Sequence, residues 1–369
     1  MEGSGVKRMI IWILAAISAL AVAATSFVKL YPGFGGSPDA AARQEYALRS
    51  VNHDGKSFFY PEKYAIEGLN ENVLVSNKGK IPEAELPAVA PAFLDEPEED
   101  KLYITWFGHS TVFIQMHGRN LLFDPVYSEY SSPVQFAGPK RFSHPPVSID
   151  ELPDIDAVIL THDHYDHLDM ATVKKLNSMK VRFIVPLGVD AHLLCWGVPG
   201  ERITTMAWWE EFDLGGLTIG CTPTKHYSGR LKLGSNDTLF ASWVLKDEYN
   251  QLYFCGDSGY GSHFDDIHDK YGDFDIVLID GAQYNMAWHD SHMFPEESVM
   301  ACGMLGAKVA MPIHWGAFSL APHAWDDPVT RFTAAAEMTG LTTVTPMIGA
   351  TVDADDISAH QMHWWEDIK

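Results

Sequence analysis

Hydrophobic and polar positions fall into three regimes along the chain. Residues 9–28 form a run without a single charge, preceded by Lys7-Arg8 and closed by Lys29. A helix of that length covers roughly 30 Å, the thickness of a bilayer core. Residues 1–29 are therefore expected to be a signal anchor or a signal peptide. The basic flank favours an N-in orientation, which places the rest of the chain on the periplasmic or extracellular side. Cleavage at the small residues Ala21-Val22-Ala23 would instead release a secreted protein. Residues 30–100 lack sustained periodicity. Tyr31-Pro32-Gly33-Phe34-Gly35-Gly36 and prolines at 61, 82, 87, 91 and 97 predict an extended arm, lying on the main domain or linking it to the membrane.

From about Lys101 short apolar runs take over. Residues 102–107, 111–116, 120–123, 157–160, 182–185, 217–221, 240–245, 252–254, 276–279 and 309–311 read as strands. Several are continuously apolar, as in strands buried on both faces. Helical stretches fall at 170–179, 295–305 and 328–338, and no internal repeat is evident. Many strands with interspersed helices predict one α/β layered domain over residues 101–369.

Charge narrows the function classes. The chain carries 26 Lys+Arg against 49 Asp+Glu, a formal net charge of -23. Duplex nucleic-acid binding by phosphate neutralisation needs the opposite bias, so no nucleic-acid partner is expected. General electrostatic adhesion to anionic lipid is disfavoured too. An anionic substrate then requires a local basic pocket or bound cations. The four cysteines are far apart with no CxxC, which predicts buried free thiols rather than a disulfide framework or a zinc ribbon.

The candidate chemistry begins where the strand at 157–160 ends. Thr161-His162-Asp163-His164-Tyr165-Asp166-His167 packs four potential ligands, His162, His164, Asp166 and His167, into six residues. Imidazole and carboxylate together suit zinc or another borderline divalent ion. The loop cannot complete two metal sites alone. His226, Asp257 and His314 each follow an apolar strand, the usual place for site residues in α/β proteins. Beside His226, Ser228 and Arg230 offer donors for a phosphate oxygen, although Arg230 equally suits a structural ion pair. His292 precedes a helix and suits leaving-group protonation, substrate binding or a packing role. His109 suits support of the metal loop rather than ligation.

The H-x-H-x-D-H loop with its later His, Asp and His resembles the metallo-β-lactamase-fold hydrolases. Trp106-Phe107-Gly108-His109-Ser110-Thr111, Gly138-Pro139-Lys140-Arg141-Phe142 and Gly256-Asp257-Ser258-Gly259-Tyr260 tighten the likeness. His292-Met293-Phe294-Pro295-Glu296-Glu297 and Ile313-His314-Trp315-Gly316 continue it. These motifs, spread from about residue 102 to 335, are similar to the N-acyl-phosphatidylethanolamine-hydrolysing phospholipase D branch. The resemblance implies an αββα sandwich, two central mixed sheets flanked by helices, with the site along one edge. It implies one metal held by His162, His164 and His226, a second held by Asp166, His167 and His314, and Asp257 bridging them.

On this reading the cofactors are two zinc ions, with iron or manganese as alternatives, and the nucleophile is a metal-bridging hydroxide oriented by Asp166. Two carboxylates against two divalent ions leave the bare site about +2, an attraction for anions that the chain itself lacks. The expected activity is that of a phosphodiesterase of phospholipase D type on a phospholipid-like substrate. A lactonase or other carboxylic-ester hydrolase is the alternative, and a non-catalytic metal-binding protein the third. The sequence departs from the branch at Ile279-Asp280-Gly281-Ala282-Gln283-Tyr284-Asn285-Met286-Ala287-Trp288, where mammalian-type enzymes read closer to I-G-A-Y-x-P-R-W. Gln283 and Tyr284 there become candidate substrate contacts.

Overall fold

The computed structural model describes residues 2–62, 79–230 and 234–368. In chain order the first sheet is built from β1 (Leu102–Trp106), β2 (Val112–Met116), β3 (Arg119–Phe123), β4 (Ala157–Ile159), β5 (Arg182–Pro186) and β6 (Ile203–Met206). The second takes β7 (Glu211–Asp213), β8 (Thr218–Thr222), β9 (Ser242–Lys246), β10 (Gln251–Phe254), β11 (Ile276–Asp280), β12 (Val309–Ile313) and β13 (Thr342–Thr343). Strand β14 (Thr351–Asp353) returns to pair with β1. The orders are β14-β1-β2-β3-β4-β5-β6 and β13-β12-β11-β10-β9-β8-β7.

Each sheet is mixed in the same way. In the first, β14 to β3 pair antiparallel and β3 to β6 parallel. In the second, β7 to β10 pair antiparallel and β10 to β13 parallel. The inner faces share one core, where Phe123 of β3 meets Phe254 of β10 at a ring-centroid distance of 4.5 Å. The outer face of the first sheet packs Val158, Phe183 and Val185 against α3 (Met170–Ser178) and α4 (Asp190–Cys195). That of the second packs Tyr253, Val277 and Ile279 against α5 (His263–Tyr271), α6 (Pro295–Met304) and α7 (Asp327–Thr339). The result is the αββα sandwich. Its inner strands read as unbroken apolar runs because both of their faces are covered.

Two segments precede the sandwich. Helix α1 (Glu2–Leu30) contains one window, Arg8–Leu30, long and apolar enough to cross a membrane, and none of that window is buried. The expected extended arm holds a helix, α2 (Ala40–Arg49), started by the Asp39 side chain accepting from Ala42 N. Tyr46 and Phe58 of the arm pack on Leu187, Ala207 and Phe240 of the sandwich, so this part lies on the main domain. Residues 63–78 of the arm are outside the described residues. All four cysteines are free, but Cys195 is exposed rather than buried, because it lies at the open end of the short α4.

Candidate metal centre

The parallel strands of both sheets end at one edge, and their loops meet there. The loop after β4 carries His162 to His167, and the segments after β8, β10 and β12 carry His226, Asp257 and His314. His109 follows β1. Its amide donates to Trp315 O at 2.6 Å and its carbonyl accepts from His314 N at 3.0 Å, stitching the two sheets together at the site. Positive φ at non-glycine residues concentrates here: His109 (55°), Asp124 (39°), Gln283 (55°) and His314 (70°). Such conformations cost of order 1–3 kcal/mol each and persist where the surroundings dictate them.

Hydrogen bonds fix how each imidazole faces the centre. Thr161 Oγ1 donates to Asp124 Oδ2, so it accepts from His162 Nδ1 at 2.9 Å and leaves His162 Nε2 as a bare lone pair. His226 Nδ1 donates to Ser291 O at 3.1 Å, which leaves its Nε2 bare as well. Both bare nitrogens face His164 Nδ1, at 2.9 and 3.2 Å. Three ring nitrogens thus converge with at most one proton among them, a donor set that suits a cation better than hydrogen bonding. Burial and the neighbouring rings hold His162 and His226 well below the usual histidine range, in the neutral form that ligates.

A second set adjoins the first. His167 Nδ1 donates to Asp124 Oδ2 at 2.8 Å, and its Nε2 lies 3.1 Å from Asp257 Oδ1 and 3.3 Å from Asp166 Oδ2. His314 Nε2 lies 3.3 Å from Asp166 Oδ2 and 3.4 Å from Asp257 Oδ1. Buried, His167 Nε2 and Asp257 Oδ1 have no hydrogen-bond partner. Asp257 divides its oxygens between the sets: Oδ2 is 3.6 Å from both His162 Nε2 and His226 Nε2, while Oδ1 faces His167 and His314. Burial opposes ionisation of Asp166 and Asp257, yet the imidazoles, His167 foremost, hold both carboxylates well below their usual range. His162, His164, His226 and Asp257 lie close enough together to share a divalent ion, and His109, Asp166, His167 and His314 form a second such group, which Asp257 Oδ1 approaches at 3.1 Å from His167 and 3.4 Å from His314. His109 Nε2 donates to Asp166 Oδ2 at 2.9 Å, consistent with bracing a ligand.

Two residues outside the sequence reading complete the frame. Asp124 binds both Thr161 and His167, and Asp280 accepts from His292 Nδ1 at 3.1 Å and His314 Nδ1 at 3.2 Å. Asp257, Asp280, His292 and His314 also cluster closely enough to hold an ion, but each Nδ1 faces its own Asp280 oxygen, which is hydrogen bonding. The signal was present in sequence: both acids end an apolar strand, the same register that singled out Asp257.

The expected substrate contacts are placed differently. Ser228 is buried and donates to Thr238 O at 2.6 Å. Arg230 is buried, and its Nη1 donates to Asp163 O and Leu168 O at 2.8 Å each, its Nη2 to Gly33 O at 3.0 Å. Its partners are backbone carbonyls rather than the alternative ion pair. Gln283 donates from Nε2 to His314 O and Phe318 O and accepts at Oε1 from Leu320 N and Ala321 N, filling its capacity. Tyr284 donates to Asp327 and stacks on His323 at 4.5 Å. These four side chains brace the loops around the centre instead of pointing donors into it. His292 remains at the centre, its ring 5.1 Å from His226 and 5.2 Å from His314.

A helix-flanked sandwich with paired His/Asp donor sets at one edge is suited to metal-dependent catalysis. Comparison with known proteins agrees. Residues 119–315 match the beta-lactamase superfamily domain. An uncharacterized protein of Mycobacterium tuberculosis is 40% identical over 320 residues, 85% of each chain. An N-acyl-phosphatidylethanolamine-hydrolyzing phospholipase D of Caenorhabditis elegans is 31% identical over 304 residues, 79% of this chain and 80% of that one. In fold, the chain is similar to Igni18, a metallo hydrolase of Ignicoccus hospitalis, with TM-score 0.53 at 19% identity over 69% of this chain and 98% of that one. The chain belongs to the beta-lactamase superfamily, as a metallo-β-lactamase-fold hydrolase.

Proposed function

We propose that the protein is a di-zinc phosphodiesterase of phospholipase D type, acting on N-acyl-phosphatidylethanolamine-like lipids. The observation that carries the two-ion reading is Asp257, whose two oxygens face two separate donor sets. The lipid substrate is supported by the likeness to the Caenorhabditis elegans enzyme over four-fifths of its length. It is also supported by the apolar Arg8–Leu30 helix, which we read as an anchor holding the catalytic domain at the outer membrane face. Divalent ions bound at the centre supply Lewis acidity that activates water and draws charge from phosphoryl oxygens.

The remaining steps belong to the chain. Asp166, held ionised, accepts a hydrogen bond from the attacking water and orients it, and the proton that water loses passes to solvent. Asp280 fixes His292 through Nδ1, and the ring with a second proton on its opposite nitrogen can pass that proton to the departing alkoxide and recover one from solvent. Water adds to phosphorus, the bond to the N-acylethanolamine oxygen breaks, and phosphatidic acid remains. The test is hydrolysis in H2(18)O by zinc-loaded protein. Label in phosphatidic acid, with release of N-acylethanolamine, is the expected result. Turnover of lactones or carboxylic esters with no phosphatidic acid would replace this reading by an ester-hydrolase one.

A further inference from the structure

Residues 31–36 join α1 to the domain, and they are packed as a docked turn. A Cβ added to Gly33 would lie 2.3 Å from Pro133 O, one on Gly35 2.1 Å from His192 Nδ1, and one on Gly36 2.2 Å from Ala191 O. Only glycine permits backbone this close to α4 and to the 131–138 loop. Trp196 Nε1 donates to Pro32 O at 2.7 Å and Arg230 Nη2 to Gly33 O at 3.0 Å. The same guanidinium holds Asp163 O and Leu168 O, at either end of the loop bearing His164, Asp166 and His167. A single buried side chain therefore ties the end of α1 to the metal loop. The space left between the turn and that loop is a cavity of about 30 Å³, room for roughly one water.

The junction carries an aromatic group beside the exposed Lys29. Phe27 stacks on Tyr31 at 4.9 Å and meets Phe34 at 6.0 Å, an aromatic group of the kind found where a helix leaves a bilayer. Phe136, in the loop that packs on Gly33, is 79% exposed. Gly33 lies three residues past Leu30, so the helix end is within roughly 10 Å of chain from the Arg230 contact. A domain of this acidity is repelled by anionic lipid, and on a slack tether it would stand away from the surface.

We propose that the docked turn is a rigid coupling that holds the metal-loop face of the domain against the bilayer occupied by α1, so that the enzyme hydrolyses phosphodiester lipid of its own membrane and not of an apposed one. The proposal rests on the lipid-hydrolase and anchor readings above.

The test uses the full-length zinc-loaded protein in vesicles of phosphatidylcholine with anionic phosphatidylglycerol. One isotopic form of N-acyl phosphatidylethanolamine is placed in those vesicles and another in protein-free acceptor vesicles. We expect the resident lipid to be hydrolysed at least tenfold faster. Insertion of a 30-residue Gly/Ser linker between Leu30 and Tyr31, with an r.m.s. reach of roughly 30 Å, should bring the two rates within about threefold. Gly36→Val, which undocks the turn without lengthening it, should move the ratio the same way. Equal rates in the unmodified protein, or a ratio unchanged by the linker, would overturn the coupling. A water-soluble phosphodiester is run in parallel. If it is hydrolysed while the two lipids go at equal rates, the coupling alone fails, whereas no turnover of any phosphodiester removes the lipid-hydrolase reading beneath it.

Discussion

Asp280 accepts hydrogen bonds from two imidazoles with different tasks, one on the ligand candidate His314 and one on the acid candidate His292. Asp280→Asn would present an amide N–H to one of these Nδ1–H groups, turning a charge-assisted contact into a donor–donor clash. Carboxylates that orient metal-bound histidines typically matter ten- to hundredfold. We expect kcat to fall by about that factor with little change in KM, measured together with metal content. His314 supplies a pH prediction. Without a cation, burial opposes its charge, but Asp257 and Asp280 prevail and raise it to about 10. It is then protonated at neutral pH and must lose that proton to ligate. Metal affinity should rise about tenfold per pH unit, per proton displaced, as pH climbs toward 10. Calorimetry in buffers of different ionisation enthalpy reads the proton count. Burial opposes the charge of His167 too, but Asp257 and Asp166 raise it well above the usual range, adding a second displaced proton. An affinity flat from pH 6 to 9 would argue against the His167 and His314 pair as ligands.

At the level of elements, the two sheets hold the halves of the centre in register. Phe254 ends β10 three residues before Asp257 and packs on Phe123 across the sandwich. Phe254→Ala should cost about 3–5 kcal/mol as a core cavity and lower the guanidinium midpoint without changing the ligands themselves. The central strands were legible in sequence because burial on both faces leaves an apolar run. Edge strands were not: β7 reads Glu-Phe-Asp and is barely covered, and β13 is two threonines. Helix α5, His-Phe-Asp-Asp-Ile-His-Asp-Lys-Tyr, hid its buried Phe264 and Ile267 among charges. At the site, residues where an apolar run stops were legible, His226, Asp257 and His314 among them. Asp124 escaped because Asp-Pro after a strand reads as a breaker, and Asp280 because its partners are 12 and 34 residues away. The donors of Ser228, Arg230 and Gln283 look free in sequence only because the carbonyls that occupy them belong to distant loops.

The whole molecule combines an acidic domain with an apolar N-terminal helix, and at a membrane the two would pull in opposite directions. With a formal charge of -23, the chain gains nothing from anionic headgroups, so any attachment must come from buried apolar surface. The Arg8–Leu30 window can provide it, at about 25 cal/mol for each Å² of apolar surface removed from water. Attachment of this kind is insensitive to salt, whereas electrostatic adhesion weakens as the Debye length shrinks. The chain is therefore expected to stay in the membrane pellet through 1 M salt and alkaline carbonate, and to be released only by detergent. N-terminal sequencing of the pelleted protein decides between the two fates of that helix. A chain starting at the initiator region supports the anchor. One starting after Ala23, and found in the supernatant, would mean a secreted hydrolase whose docked glycine turn serves only to finish the fold.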